Sequence, residues 1–487
     1  MRASIAAPPS LRGGSVRQFA PAAGARFFLV PCIGPPMSSL IISVSGLRGI
    51  VGESLTPPVA MGYVAAFARS LSDEHRGPII VGRDGRTTGS MLKSAVMAAL
   101  SGCGVDVIDA DVAATPTIGV LVKHLGAAGA VQITASHNPP PYNGIKLFGP
   151  DGRVIGATAG SAVRDEYQTG SPAWVTHEHI GTIVSEADPH APHLDAVLQT
   201  VEPIAIRAAA PKVLLDSNHG SGGLLGMRLL QSLGCNVVCL GGEPTGRFAH
   251  PPEPTAENLQ AVGAEIVAHG CDVGFCQDPD ADRLAIIDES GRYVGEEYTL
   301  ALCVQRILSN PSLRGPVVIN GATSGMTERL AADARVGCHR SSVGEANVAD
   351  KMIDVGAVYG GEGNGGPIDP RVGYVRDSFV AMAQVLDWMA RCGKPISKLC
   401  DALPTLHIHK DKASASATQL PSLFEQLIAA HPEADVQTGD GLRLAWPDRW
   451  LLVRGSNTEP IVRFIAEAES QSEAEALCQR AADLLKP

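Results

Sequence analysis

The segment Asp278-Pro279-Asp280-Ala281-Asp282-Arg283 sets three carboxylates at alternate positions. Clustered anions repel one another unless a hard cation lies among them, and an all-oxygen donor set suits Mg²⁺. The segment is not an EF-hand, because the glycine at the sixth position and the later glutamate are missing. Solvated surface acids are the other reading of such a string, and the apolar runs VGFC before it and LAII after it weigh against that. Ser136 is the second candidate, in Thr134-Ala135-Ser136-His137-Asn138-Pro139, after the apolar run AVQI and before a proline-rich turn that fixes the backbone. A Ser/His pair invites a hydrolase reading, yet neighbours in sequence rarely point their side chains at each other, and no G-x-S-x-G elbow surrounds them. From the hexapeptide alone an ordinary serine turn stays open. Lys146 follows Asn143-Gly144, a pair expected to turn the chain and fold the lysine back toward the serine. Mg²⁺ keeps coordination places for phosphate oxygen, so a phosphorylated Ser136 would complete a site with Asp278, Asp280 and Asp282.

Three further segments carry polar chemistry. Gly360-Gly361-Glu362-Gly363-Asn364-Gly365-Gly366 is almost free of bulk, so its main chain can approach a ligand while Glu362 and Asn364 bond sugar hydroxyls; a bare flexible turn is the alternative. Arg454, Ser456, Asn457 and Thr458, with Arg463 on the strand that follows, combine two guanidinium groups with hydroxyls and turn amides, a natural phosphate cradle. The competing reading there is a capping turn with unrelated surface arginines. Arg48 stands in a glycine-flanked turn, Ser45-Gly46-Leu47-Arg48-Gly49.

These residues must be positioned by elements with α/β texture. From Pro57 onward short β-rich runs alternate with segments of helical period, and the alternation repeats three times. IIVGRDGRTTG, VLLDSNHGSGG and VVINGATSG each read as a strand entering a small-residue turn and a helix; AVQITASHNPP, VGFCQDPDADR and AVYGGEGNGG each read as a third strand emptying into a polar loop. Ligands of α/β folds gather beyond such strand ends. After Lys394 come LHIHKDKA, the alternating LRLAWPDRWLLVRGS and a helix from about Ser472 to Leu485, a smaller α+β unit. The expected organisation is an extension over 1–36, α/β domains over 37–190, 191–296 and 297–395, and an α+β domain over 396–487.

Composition narrows the function. The net charge of −11 argues against nucleic-acid binding, and no apolar run approaches the roughly 18 residues of a membrane span. The eleven cysteines lack zinc-site spacing and read as reduced thiols, which predicts a cytoplasmic protein. Residues 1–36 hold four arginines and no acid; they read as disordered, or as a misassigned start upstream of Met37, with a transit peptide as the alternative.

Five strings, SGLRG, TASHNPPPYNGIK, DPDADR, GGEGNGG and RGSNTEP, together resemble the α-D-phosphohexomutase family of phosphoglucomutases, phosphomannomutases and phosphoglucosamine mutases, in family order from about Ile41 to Glu467. The resemblance implies three similar α/β domains and a smaller C-terminal domain around a central cleft. It implies isomerisation of sugar phosphates through phosphorylated Ser136 and a hexose 1,6-bisphosphate, with Lys146, Arg48 and His137 beside the reacting group. Asp278, Asp280 and Asp282 with the seryl phosphate would hold Mg²⁺, Glu362 and Asn364 would meet the sugar, and Arg454, Ser456, Asn457, Thr458 and Arg463 would hold the other phosphate. The family's sugar loop commonly reads G-G-E-x-S-G-H, whereas Asn364 and Gly366 stand here in place of Ser and His. GGEGNGG with SSVGEANV is closer to phosphoglucosamine mutase-like members, so glucosamine phosphate is the first expectation and glucose or mannose phosphate the second. A metal-dependent phosphatase would not need RGSNTEP or a sugar loop, and a noncatalytic sensor would not need Ser136, Lys146 and all three aspartates.

Overall fold

Strands rich in Val, Ile and Leu, buried on both faces, pair in parallel because helices must cover both sides of them. IIVGR, KVLLD and VVIN, each almost wholly buried, are the middle strands of three such sheets. A computed structural model describes residues 40–43, 46–71, 77–170, 173–414, 417–455 and 461–485. In the first sheet Ile79–Arg83 lies between Val107–Val112 and Gly129–Ile133, with Tyr142–Phe148 antiparallel to the last of these. Lys212–Asp216 lies likewise between Asn236–Leu240 and Val273–Gln277, closed by antiparallel Leu284–Asp288. In the third, Val317–Asn320 lies between Cys338–Ser341 and Tyr359–Glu362, closed by Gly366–Ile368. The order is the same each time, so the repeat read from sequence is a structural repeat. Each polar segment joins the third strand to its antiparallel partner and thus stands at the carboxyl end of the parallel strands.

The first sheet is widened to seven strands by Ile183–Ser185 on one edge and by the hairpin Ile41–Ser43 and Gly46–Ile50 on the other. That hairpin places Arg48 opposite Gly144 and Gly46 opposite Lys146. Asn143-Gly144 is therefore strand, not the turn expected from that dipeptide. The reversal is made earlier, where Tyr142 N donates to Pro139 O, and cross-strand pairing claims the two residues.

One apolar core runs through the second and third units and includes Leu229, Phe275, Ile286, Leu300 and Phe379. The helix Ser378–Cys392 crosses it, N-capped by Asp377, whose carboxylate accepts from Phe379 N and Val380 N. The other oxygen of Asp377 lies 2.8 Å from His193 Nε2, and His193 Nδ1 lies 2.9 Å from Thr117 Oγ1, so a buried polar thread ties the first three units. The fourth unit is an antiparallel sheet in the order His407–Ser414, Ile461–Ala468, Trp450–Gly455, Gly441–Ala445, Asp435–Gly439, packed with helices Leu420–Ala430 and Gln471–Asp483.

Glu467 fastens the fourth unit to the third. It is 2 % exposed and accepts hydrogen bonds from Ser324 Oγ, from Gly325 N at 2.8 Å and from Trp450 Nε1 at 2.8 Å. Each buried donor left unpaired costs about 1–3 kcal/mol. Glu467→Ala is expected to destabilise the fourth unit by about 3 kcal/mol, read as an earlier transition of Trp450 fluorescence in urea; an unshifted transition would show that the carboxylate does not fasten the two units.

Candidate active site

The three aspartates follow the strand Val273–Gln277 and have no solvent exposure at all. One oxygen from each lies within 4.8 Å of the others. Lys146 Nζ reaches Asp280 Oδ2 at 3.3 Å and Asp282 Oδ2 at 3.1 Å, and Arg376 Nη2 reaches Asp282 Oδ2 at 2.6 Å. Burial works against ionisation of Asp282, but Arg376, Lys146 and Arg283 outweigh it and hold its pKa below the usual value. Asp278 has no such cation in contact: burial first, then Asp280 and Asp282, push its carboxyl far up. Asp280 Oδ1 and Asp282 Oδ1 are buried with no hydrogen-bond partner. Orphaned anionic oxygens facing a like-charged neighbour are what a divalent cation would satisfy, so these residues fit an oxygen-coordinated metal.

Ser136 comes to this loop from the first unit, with its Oγ donating to Asp278 Oδ2 at 2.9 Å. It adopts φ +48, a left-handed conformation that bends the chain there. The bend also brings Ser136 Oγ to 3.3 Å from His137 Nδ1, a contact not expected between sequence neighbours. Arg283 first, then burial, push the imidazole pKa down to about 2, so His137 is neutral at physiological pH. Arg86 sets the loop: its Nη atoms donate to the carbonyls of Ser136, Asn138, Pro139 and Tyr142, while Asp84 receives its Nε at 3.2 Å. Arg48 Nη1 donates to Asn138 Oδ1 at 3.1 Å. Burial opposes the charge of Lys146, but Asp282 and Asp280 overcome it and keep the ammonium firmly protonated.

Glu362 ends its strand instead of lying in a loose loop, and only residues 363–365 form the turn. Its Oε1 accepts from Asn320 Nδ2 at 2.7 Å and Gly344 N at 3.0 Å; its Oε2 accepts from Arg376 Nη1 at 2.6 Å and Asn364 Nδ2 at 3.3 Å. Arg376 thus bridges the sugar-loop candidate and the aspartate loop. Any Cβ on Gly366 would collide with the Cγ and Cδ of Arg376, so the methylene stem of this arginine takes the room that a side chain at 366 would need.

A cavity of about 600 Å³ joins all four units, walled by Arg48, His137, Lys146, Glu362, Asn364, Arg376, Arg454 and Arg463 among others. Ser136 and the aspartates do not line it themselves, but His137, Lys146 and Arg283, which touch or adjoin them, do. Arg454 and Arg463 face each other in adjacent strands, so the structure brings the two arginines of the phosphate-cradle candidate to the wall of the same cavity as Arg48, His137 and Lys146. Ser456, Asn457 and Thr458 fall outside the described residues, as does the segment 1–36. Arg86, Arg376, Glu296 and Glu297 were not singled out in the sequence. The one available signal was charge inside apolar strings, as in GYVRDSFVAM.

The chain matches, in order, phosphoglucomutase/phosphomannomutase alpha/beta/alpha domain I over residues 40–173, domain II over 191–291, domain III over 296–407 and the C-terminal domain over 412–484. A "Phosphoglucomutase/phosphomannomutase" of Thermococcus kodakarensis is 36% identical over 433 residues, covering 88% of this chain and 94% of that protein. A "Probable phosphoglucosamine mutase" of Methanopyrus kandleri is 32% identical over 445 residues, covering 91% and 97%. The crystal structure of a phosphoglucomutase/phosphomannomutase family protein from Burkholderia thailandensis superposes with a TM-score of 0.80 at 26% identity, covering 93% of this chain and 98% of that one.

Glu297, on the cavity wall, accepts from Ser324 N at 3.0 Å, and a side chain at Gly363 would collide with it. Burial raises its pKa from 4.5 to about 8. Between those values the folded chain keeps a proton that the unfolded chain releases, so this group's contribution to stability falls as pH rises through the window and levels off above it. Glu297→Gln cannot ionise. Its unfolding midpoint relative to the unsubstituted protein is expected to climb from about pH 4.5 to about pH 8 and then plateau; a difference independent of pH would refute the raised pKa.

Proposed function

Since the chain belongs to the phosphoglucomutase/phosphomannomutase family, and is therefore a phosphohexomutase, we propose that phosphorylated Ser136 is its phosphoryl carrier and that glucosamine phosphate is its preferred substrate. The observation that carries the first half is the 2.9 Å contact between Ser136 Oγ and Asp278, residues 142 positions apart, beside His137 and Arg283 in the wall of a cavity that all four units line.

In the first transfer a hydroxyl of the bound hexose phosphate attacks the seryl phosphorus in line. The Oγ–P bond breaks, the new sugar O–P bond forms, and the proton lost by the sugar hydroxyl is balanced by the one that the departing seryl oxygen gains. The product is a hexose 1,6-bisphosphate, which turns end for end and returns its other phosphoryl group to Ser136 Oγ. Such a transition state needs positioning and dispersal of charge more than a strong nucleophile. Lys146 supplies a fixed positive charge and Arg48 anchors the loop through Asn138, while His137 stands beside the seryl oxygen. Glu362, locked by Asn320, Gly344 N and Arg376, offers its carboxylate to sugar hydroxyls, while Arg454 and Arg463, with Ser456, Asn457 and Thr458, receive the phosphate that is not reacting. Asp278, Asp280 and Asp282, together with the seryl phosphate, would hold Mg²⁺, which when bound neutralises charge on the transferring group.

The preference for an amino sugar rests on Glu296 and Glu297. Both line the cavity, burial raises the pKa of each, and neither has an ion-pair partner among the described residues. Arg283 and Lys410 act on Glu296, and Lys410 on Glu297, only at a distance, and an ammonium group on the hexose would add a closer counter-charge. The glucose or mannose reading is favoured by the 36% identity to the Thermococcus kodakarensis protein.

Labelled hexose 1,6-bisphosphate is expected to leave one phosphate on Ser136, and Ser136→Ala to accept none and lose about 10³-fold or more in turnover. Undiminished turnover would refute the carrier. Assayed side by side, glucosamine 6-phosphate should give a higher kcat/KM than glucose or mannose 6-phosphate; the reverse order would replace the sugar and leave Ser136 standing.

A further inference from the structure

Arg454 and Arg463 stand directly opposite each other in adjacent strands, with Lys412 opposite Arg463 on its other side. Three like charges abreast repel, and flexible guanidinium groups relieve that by swinging apart. Arg454 is restrained by Asp440, at the tip of the hairpin between Asp435–Gly439 and Gly441–Ala445. Gly439 and Gly441 flank it with φ +139 and +87, and any Cβ on Gly441 would strike Val453 O and the Arg454 backbone, so the tip lies flat against the strand that carries the arginine.

One oxygen of Asp440 does all the gripping: Oδ1 takes Arg454 Nε at 3.1 Å and Nη2 at 2.9 Å. That side-on hold uses one edge of the guanidinium and leaves its Nη1/Nη2 fork, the edge that matches two phosphate oxygens. The other oxygen, Oδ2, accepts from Val343 N of the third unit at 2.8 Å. The next amide in that chain, Gly344 N, donates to Glu362 Oε1 at 3.0 Å. A single carboxylate therefore sets the phosphate-side arginine at a fixed reach from the sugar-side glutamate, across the boundary between two units.

We infer that Asp440 is a positioning residue for substrate phosphate, acting through Arg454. The inference rests on the reading of Arg454 as a phosphate ligand. Uniform loss of a binding contact raises KM with little change in kcat. Asp440→Asn, which keeps the shape but loses the charge and the second acceptor, should raise KM for hexose 6-phosphate and hexose 1-phosphate alike by about tenfold. Its kcat should stay within about threefold, with the extent of Ser136 phosphorylation and the unfolding midpoint unchanged. Asp440→Glu, which keeps the charge, should recover part of the loss. In an Arg454→Met background Asp440→Asn should add nothing, because the two act as one unit.

The controls separate two failures. An unchanged KM in Arg454→Met would remove the phosphate role of Arg454 itself. A raised KM in Arg454→Met with an unchanged KM in Asp440→Asn would overturn the inference, as would an Asp440→Asn effect that persists in full without the arginine. So would a fall in kcat together with an earlier unfolding midpoint, the mark of a merely structural strap between units. Should Asp440→Asn not fold, Asp440→Ser, which loses the grip but keeps an acceptor near Val343 N, carries the same test.

Discussion

Three carboxylates without solvent contact cannot stand together uncompensated, and the arrangement of the molecule around its cavity follows from that constraint. Removing an ionised acid from water costs far more than one hydrogen bond returns, so Asp280 and Asp282 depend on positive charge brought to them, while Asp278, with no cation in contact among the described residues, is pushed toward its neutral form. Lys146 arrives from the first unit and Arg376 from the third, while the second unit adds its own Arg283. None of these loops is electrostatically complete within its own unit. Asp280 Oδ1 and Asp282 Oδ1 are buried without a hydrogen bond, and the crowding of acids raises the pKa of Asp278, features that an oxygen-coordinated divalent cation would suit.

The same charges bind the sugar side to the phosphoryl side. Arg376 holds Asp282 and Glu362 at 2.6 Å each, so the glutamate of the glycine-rich hairpin cannot move without disturbing the aspartate loop. The exchange at the sugar hairpin is intelligible in these terms. A glycine at 366 gives up a side chain from the loop and admits the flank of Arg376 in its place. The fourth unit then joins through Glu467 and Asp440, two buried or half-buried acids whose oxygens take backbone amides of the third unit.

Much of this was legible in the residues. The threefold repeat followed from apolar strands ending in small-residue turns, though not the strand order, and the pairing of Ser136 with the aspartate loop followed from two polar strings placed at equivalent strand ends. Asn143-Gly144 misled because a local turn preference was outweighed by a ladder with residues almost a hundred positions earlier. The Ser136–His137 contact escaped because a left-handed serine was not foreseeable from its neighbours. Arg86, Arg376 and Asp440 share another reason. Each earns its role only through partners far away in sequence, and an isolated arginine or aspartate in a strand or turn carries no mark of them.

The central claim is that the aspartate loop and the seryl oxygen form one metal site. It is tested most directly by titrating Mn²⁺ into the protein with Ser136 phosphorylated and dephosphorylated, following free ion by electron paramagnetic resonance. The account predicts one ion per chain, bound more tightly when Ser136 carries phosphate and lost on Asp280→Asn. Binding that is absent, or indifferent both to the phosphate and to Asp280, would contradict it.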